Sequence, residues 1–381
     1  MEGVLFMSEM SGVANSSAIA AKKKLSSNFL KKGISIALFS GLMYGFYSAF
    51  MTLGMKKGVW ADWYGDNNTG LSVLVITYLL GALGSAVNDT CSAVWAIAYA
   101  TIKGKIGDFF RCIRTTPGGV MILAALIGGP ISSTAYVVGL QMAGSIVIPI
   151  TALCPAIGAI LGRILFKQEL NKRMMAGIVI CVASSFLIGS TSLSGDAPEG
   201  MFLGLCIAFI AALGWGFEGC VAGYGTSMID SEIGITIRQA TSGLSNLIIL
   251  VPIFGMIFGD GVGFSINLVT QAFTSGSAMI WFALSGLCAF VSYMCWYNGN
   301  SMCGAALGMA CNGTYSFWGP FCCWIVLGVF AGMDGWALPP IVWIAAVLMI
   351  FGILVIAMNP LDLFKKKNKD HDKEVDNYET T

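Results

Sequence analysis

Apolar stretches of more than twenty residues recur along almost the whole chain, at 33–55, 71–98, 119–139, 144–165, 173–193, 201–225, 233–258, 277–298, 303–330 and 337–358. A bilayer's hydrocarbon core is about 30 Å thick and an α-helix rises about 1.5 Å per residue, so about 20 apolar residues span it. Ten such stretches cannot all be hidden inside a water-soluble core. Charged residues make up only 11% of the chain, against about 25% in a soluble domain, too few to cover a wetted surface. The expected fold class is an all-α integral membrane protein with ten transmembrane helices. The third and fourth stretches, and the eighth and ninth, are only a few residues apart, with Gly144 and Gly304 at the reversals, where a permissive backbone is useful.

The placement of lysine and arginine predicts orientation, because basic residues accumulate in cytoplasmic loops. With a cytoplasmic N-terminus and alternating spans, eighteen basic residues fall inside and only Lys56 and Lys57 fall outside. Residues 1–32 are weakly apolar and then basic ("AAKKKLSSNFLKK"), without a hydrophobic stretch ahead of a cleavage site; they read as a cytoplasmic lead-in. Residues 359–381 read as a polar cytoplasmic tail, and the plasma membrane is the expected location. A net charge of +1 carries no nucleic-acid footprint. Twelve cysteines form no C-x-x-C pair, and the only histidine, His371, lies in the tail, so neither a metal site nor a disulfide framework nor a cofactor is expected.

The halves resemble each other. A shift of 171 residues brings Gly33, Ile36, Ala37, Gly45 and Phe46 onto Gly204, Ile207, Ala208, Gly216 and Phe217, with Tyr44 on Trp215. A shift of 160 brings Gly139, Met142 and Gly144 onto Gly299, Met302 and Gly304, with Tyr136 on Trp296. Five spans per half is an odd number, so the second half must run opposite to the first. Two inverted five-helix repeats, 33–193 and 201–358, are therefore expected, an arrangement common in secondary transporters.

Over about 33–358 the chain resembles the drug/metabolite transporter superfamily, in particular proteins with two EamA-type five-span units. The stretch "PAIGAILGRILFKQELNKRMMAGIVICVASSFLIGS" (155–190) carries most of the likeness: a span ending in a glutamate, Glu169, then a short polar turn and a glycine-bearing span. Gln168 stands where the family has glycine, and 325–340 lacks the second-half glutamate. The resemblance implies a ten-helix bundle, a cavity between the halves and alternating access.

A charge in the bilayer interior costs about 2.5–3.5 kcal/mol at a helix centre, so intramembrane charges mark cavities or partners. Three stand out: Asp89, Glu218 and Arg238. Counted along their expected spans, Asp89 and Glu218 lie roughly 27 and 26 Å from the outer ends, and Arg238 roughly 8 Å from an inner end. All three share the cytoplasmic half and can meet. The expectation is that Arg238 pairs with one carboxylate and leaves the other, with Glu218 favoured, to take a proton or a cationic group of a solute. The competing reading is an architectural ion pair, or charges reaching to the inner interface. A second group is neutral: Asn298 and Asn312 with Tyr315 and Trp318, and, elsewhere, Asn88, Gln141 and Gln239. Tyr44 and Trp215 join them through the repeat. Amides and aromatic faces suit a small polar organic solute, neutral or zwitterionic; interhelical hydrogen bonding is the alternative use of the same amides. Pro149, Pro155, Pro320 and the "GGPISS" segment (128–133) are expected to break helices, with hinges or ordinary kinks as alternatives.

The favoured function is a secondary carrier, monomeric or homodimeric, moving a small-molecule solute across the bilayer with a proton as a candidate coupling ion. The alternatives are a polytopic membrane transferase and a facilitative channel. No intramembrane histidine or nucleophile–base motif supports enzymatic chemistry, and no phosphate-binding loop supports ATP-driven pumping.

Overall fold

The computed structural model describes residues 29, 31–65, 70–167, 171–190, 199–225, 228–303 and 305–357. Among them the chain is helical, with no strand. Gly304, Gln168, Glu169 and the expected cytoplasmic lead-in and tail lie outside the described residues, apart from 29, 31, 32 and their continuation.

Among the described residues six helices are long and apolar enough to cross a membrane: Lys31–Gly54 (α1), Thr116–Thr151, Met201–Ala222, Ser231–Phe258, Gly276–Met302 and Gly308–Phe330. They mark a multi-pass membrane protein. Helices also cover the remaining expected stretches. These are Leu80–Ile102 (α3), reached through a π-helical turn at Val75–Leu79, Cys154–Phe166 (α8), Lys172–Ser190 (α9) and Pro340–Ala357 (α17). The short helices Val59–Tyr64 (α2) and Ile106–Cys112 (α4) lie in connections.

Several of the long helices are interrupted. The run Thr116–Thr151 consists of Thr116–Leu126 (α5), a π-helical segment at Ile127–Ser133, Thr134–Ala143 (α6) and Val147–Thr151 (α7). Pro130 causes the π-helical widening, because its ring removes one backbone donor. Gly144 takes φ 67°, ψ −161°, which ends α6 at the position expected for a reversal. Turns at Ala152–Leu153 and at Gly313–Thr314 break the helices that follow, so the ninth stretch is Ala305–Asn312 (α15), Tyr315–Cys323 (α16) and a π-helical end at Trp324–Phe330. Pro155 corrects one expectation. It occupies the first turn of α8, where a missing N–H costs nothing, and so starts a helix instead of kinking one. Pro149 sits inside α7 and Pro320 inside α16.

Met201–Gly225 (α10) packs against α6 and α8. Correspondingly, α1 packs against Gly276–Cys303 (α14) and against the α15–α16 turn. Gly54 abuts Phe282, Ala37 abuts Gly299, and Gly41 faces Thr314 and Tyr315. Ser231–Ser245 (α11) lies along α3, and α9 lies along α17. The second half continues from α11 through a π-helical turn at Asn246–Leu250 into Val251–Phe258 (α12) and the connecting helix Val262–Thr274 (α13). Large apolar side chains such as Ile164, Phe186, Phe202, Ile248, Ile257 and Phe351 face outward, as a lipid-facing surface requires. Small and polar groups turn inward and build two connected sites.

Candidate functional site

The first site is an ion pair on α10 and α11. Glu218 is seven residues from the C-terminal end of α10 and Arg238 seven from the start of α11, about 10 Å along each helix. That shared depth lets them meet. Arg238 Nε donates to Glu218 Oε1 at 2.8 Å and Nη2 to Oε2 at 3.3 Å, a two-pronged contact suited to the planar guanidinium. Both side chains are shielded from solvent, with 1% and 0% exposure. The remaining donors are also used: Nη1 bonds Gln239 Oε1 at 2.6 Å, and Nη2 bonds Tyr293 Oη at 2.9 Å and the Gly128 carbonyl at 3.3 Å. The guanidinium carbon sits 3.9 Å from the centre of the Tyr293 ring. Tyr297 Oη donates to Glu218 Oε1 at 3.4 Å.

The break at Pro130 supplies part of this arrangement. The Gly128 carbonyl accepts from Trp215 Nε1 at 3.0 Å, Ser133 Oγ at 3.1 Å and Arg238 Nη2. Residue 128 must be glycine for this approach, because a Cβ there would fall on the Glu218 carboxylate.

Asp89 lies deeper, by nearly two helical turns when counted from the helix ends. It is 13 residues from the C-terminal end of α3, about 20 Å along it. Ser242 Oγ and Asn246 Nδ2 donate to its Oδ2 at 2.5 and 2.8 Å, and Asn88 Nδ2 approaches Oδ1 at 3.4 Å. Among the described residues no lysine or arginine pairs with Asp89, although it is 4% exposed. The expectation that Arg238 takes one acid and leaves the other holds, but the acid left is Asp89 and not the favoured Glu218. Gln239 joins the two sites by donating from Nε2 to Ser92 Oγ, one turn along α3 from Asp89. Asn88 Oδ1 in turn accepts from Ser285 Oγ at 2.6 Å.

The second site is a small cavity of about 20 Å³ among the helices. Tyr44 from α1, Cys154 from α8, Trp215 from α10, Ser292, Tyr293 and Trp296 from α14, Asn312 from α15 and Tyr315 from α16 line it. This space is enough for about one water. Tyr44 stacks on Tyr315 (centroids 4.3 Å apart) and meets Trp215 edge-on at 6.0 Å. Tyr315 Oη contacts Cys154 Sγ at 3.6 Å, and Asn312 Nδ2 donates to Ser40 Oγ at 2.8 Å. Trp296 Nε1 is buried and has no hydrogen-bond partner, a costly state for an indole N–H. Tyr293 belongs to both sites, bonding Arg238 while its side chain borders the cavity. Larger hollows of about 410 and 340 Å³ open at the surface among apolar side chains such as Phe321 and Phe254, away from these polar groups.

Nine of the sequence-derived candidates therefore come together: Asp89, Asn88, Glu218, Arg238 and Gln239 in the polar network, and Tyr44, Trp215, Asn312 and Tyr315 around the cavity. Three do not. Asn298 accepts from Ser231 Oγ at 2.5 Å, at the start of α11. Gln141 Nε2 points at Met55 Sδ near the C-terminal end of α6. Trp318 is half-buried among Phe317 and Phe321, outside the cavity lining. The residues not singled out from sequence are Ser40, Ser92, Cys154, Ser242, Ser285 and Ser292. A stripe of Ser85, Asp89 and Ser92 at helical spacing was the available signal.

Where the end of α3 meets the start of α11, Lys105 bridges Asp230 (2.9 Å) and Glu232 (2.7 Å), and Tyr99 Oη donates to Glu232 at 3.0 Å. The two carboxylates hold Lys105 well above the usual lysine range. Burial pushes the Asp230 carboxyl up, but hydrogen bonds from Lys105 and from the Glu232 and Ile233 amides outweigh it and hold Asp230 below the usual range.

No family model matches the chain. It is similar to Protein LicB of Haemophilus influenzae, 23% identical over 243 residues, covering 62% of this chain and 76% of that protein. A crystal structure described without a function superposes with a TM-score of 0.50 at 16% identity, covering 84% of this chain and 96% of the other. That likeness concerns the fold alone.

Proposed function

We propose that this chain is a secondary transporter of the drug/metabolite type, with two EamA-like five-span halves of opposite orientation, and that the aromatic cavity is its solute site. The observation that carries the reading is a matched pair of broken helices. The turns at Ala152–Leu153 and Gly313–Thr314 differ by 161 residues, within one of the 160-residue shift that brings the Gly139–Gly144 block onto Gly299–Gly304. Both breaks border the cavity, through Cys154 on one side and Asn312 and Tyr315 on the other. Paired interruptions at corresponding places in inverted halves are a recurrent feature of transporter binding sites, because unwound backbone is tolerated only beside a cavity. The packing agrees with the same symmetry. α10 on α6 and α8 corresponds to α1 on α14 and the α15–α16 turn, while α3 on α11 and α9 on α17 each pair a helix with its own counterpart.

The solute is a small organic metabolite. Stacked and edge-on rings offer flat faces, and the unpartnered Trp296 N–H offers a donor to an acceptor on the solute. The described residues hold no nucleophile–base pair, and the buried network is committed to hydrogen bonds; both favour a carrier over a transferase. A cavity of only about 20 Å³ favours alternating access over an open channel. We place the chain in the plasma membrane with both termini cytoplasmic, on the strength of the basic-residue asymmetry. The test is uptake by proteoliposomes from a panel of radiolabelled metabolites. A carrier gives saturable uptake of at least one solute, accelerated by the same solute on the far side. Non-saturable flux would support a channel instead, and chemical conversion of the solute an enzyme.

A further inference from the structure

The network accounts for the charge of Glu218 and Arg238 but leaves that of Asp89 without a counter-charge. A buried carboxylate needs one, or a proton, to offset its burial. Its Oδ2 accepts two good hydrogen bonds, but its Oδ1 has only the 3.4 Å approach of Asn88. One turn before it on the same face of α3, Ser85 Oγ is 1% exposed and has no hydrogen-bond partner. The Ser242 hydroxyl and the Nδ2 amides of Asn88 and Asn246 complete the surroundings, while the two amide oxygens accept from Ser285 and Thr134. One under-bonded carboxylate oxygen on an unmatched negative charge, with an unpartnered buried hydroxyl one helical turn away, is suited to a proton or a hard, oxygen-seeking cation.

We propose that Asp89 Oδ1, with Ser85 Oγ, is the site of a monovalent coupling cation, a proton or Na⁺, whose shared role is to neutralise Asp89. This rests on the transport reading and names the ion that drives it. The charged and titratable groups facing Asp89 are Arg238 on α11, Tyr47 on α1, Tyr293 on α14 and Cys91 on its own helix; the π-helical segment Ile127–Ser133 and α12 contribute none. Arg238 is already bound to Glu218, and Tyr47, Tyr293 and Cys91 are neutral hydrogen-bonding or apolar groups at physiological pH. Asp89 is therefore the group whose charge a cation changes. Ser242 and Asn246 of α11 and its extension bond directly to it. Occupancy alters how firmly the second half's helix holds α3, and so couples the cation to the helices around the cavity.

The test uses purified full-length protein and needs no transported solute. One arm measures binding of radioactive Na⁺, with K⁺ as competitor. The other follows the infrared carbonyl stretch of protonated carboxyl groups across pH 4–9. Either saturable Na⁺ binding or a protonation band is expected, and Asp89→Asn should abolish whichever is present. Ser85→Ala should weaken Na⁺ binding several-fold, or shift the band's midpoint, while preserving the fold by circular dichroism. Absence of both signals in the wild type, or their persistence in Asp89→Asn, overturns the assignment. Should Asp89→Asn fail to fold, the Ser85→Ala response decides, since an unchanged response would equally exclude the site. Because neither arm reads transport, failure here leaves the carrier reading standing.

Discussion

Removing Arg238 alone is expected to cost far more stability than removing it together with Glu218. In Arg238→Met, Glu218 remains as an unpaired carboxylate with 0% exposure, and the Gly128 carbonyl, Gln239 and Tyr293 each lose a donor. Breaking a buried pair on one side costs about 3–5 kcal/mol. At about 1.4 kcal/mol per tenfold change, the unfolding constant rises between roughly a hundredfold and several thousandfold. Glu218→Met leaves a buried guanidinium with a similar penalty. The double variant Arg238→Met/Glu218→Met removes both charges and fills the space with flexible apolar side chains. It should return to within about 2 kcal/mol of the wild type, because replacing a whole buried pair is often nearly neutral. Reversible unfolding in mixed detergent micelles, followed by tryptophan fluorescence, gives all four stabilities and hence the coupling energy. Single variants costing less than about 1 kcal/mol, or a double variant equal to the sum of the singles, would refute the pairing.

Other outcomes follow from neighbouring features. Gly128→Ala should destabilise by about 1–3 kcal/mol, since its Cβ displaces the Glu218 carboxylate, whereas Gly119→Ala, where nothing stands within 4 Å, should not; thermal denaturation separates them. Trp296→Phe should leave stability nearly unchanged, because the lost N–H has no partner, yet weaken binding of an acceptor-bearing solute about tenfold in a transport competition assay. The Lys105 bridge is 31–44% exposed on its Lys105 and Asp230 sides, so Lys105→Ala should cost no more than about 1 kcal/mol, less at high salt. Asp230 is held below its ordinary range, so its share is present above that range and lost as pH falls through the depressed value. Lys105 is held above its ordinary range, so its share persists through neutrality and is lost only as pH rises through the elevated value. A salt-sensitive stability difference between wild type and Lys105→Ala at pH 7 that fades in acid is the expected result.

The apolar stretches and the meeting of Arg238 with a carboxylate were legible because both follow from helix rise and burial cost. Equal distance from the C-terminal end of α10 and the start of α11 is what pairs Arg238 with Glu218, but the ends themselves were uncertain by a few residues. The expected second stretch stopped at 98, whereas α3 continues to Ile102, placing Asp89 deeper than either partner. The serines were missed because a serine in an apolar helix often bonds its own preceding turn, as Ser48 does to the Tyr44 carbonyl and Ser184 to that of Ile180. Nothing in the local sequence distinguishes those from Ser242, which reaches Asp89. Trp318 sits three residues from Tyr315, but α16 turns it toward Phe317 and Phe321 while Tyr315 faces Tyr44. Depth can be read along one chain, whereas the facing of a side chain depends on helices distant in sequence.

Cys154 offers a direct view of the solute site, since it borders the cavity and is 7% exposed. With every other cysteine replaced, its reaction with a membrane-impermeant thiol reagent, added to one face or the other of oriented proteoliposomes, reports access to the cavity. Alternating access predicts labelling from each face, slowed by a transported solute, and no continuous leak of the reagent through the protein. Labelling from one face only, or from neither, would contradict it.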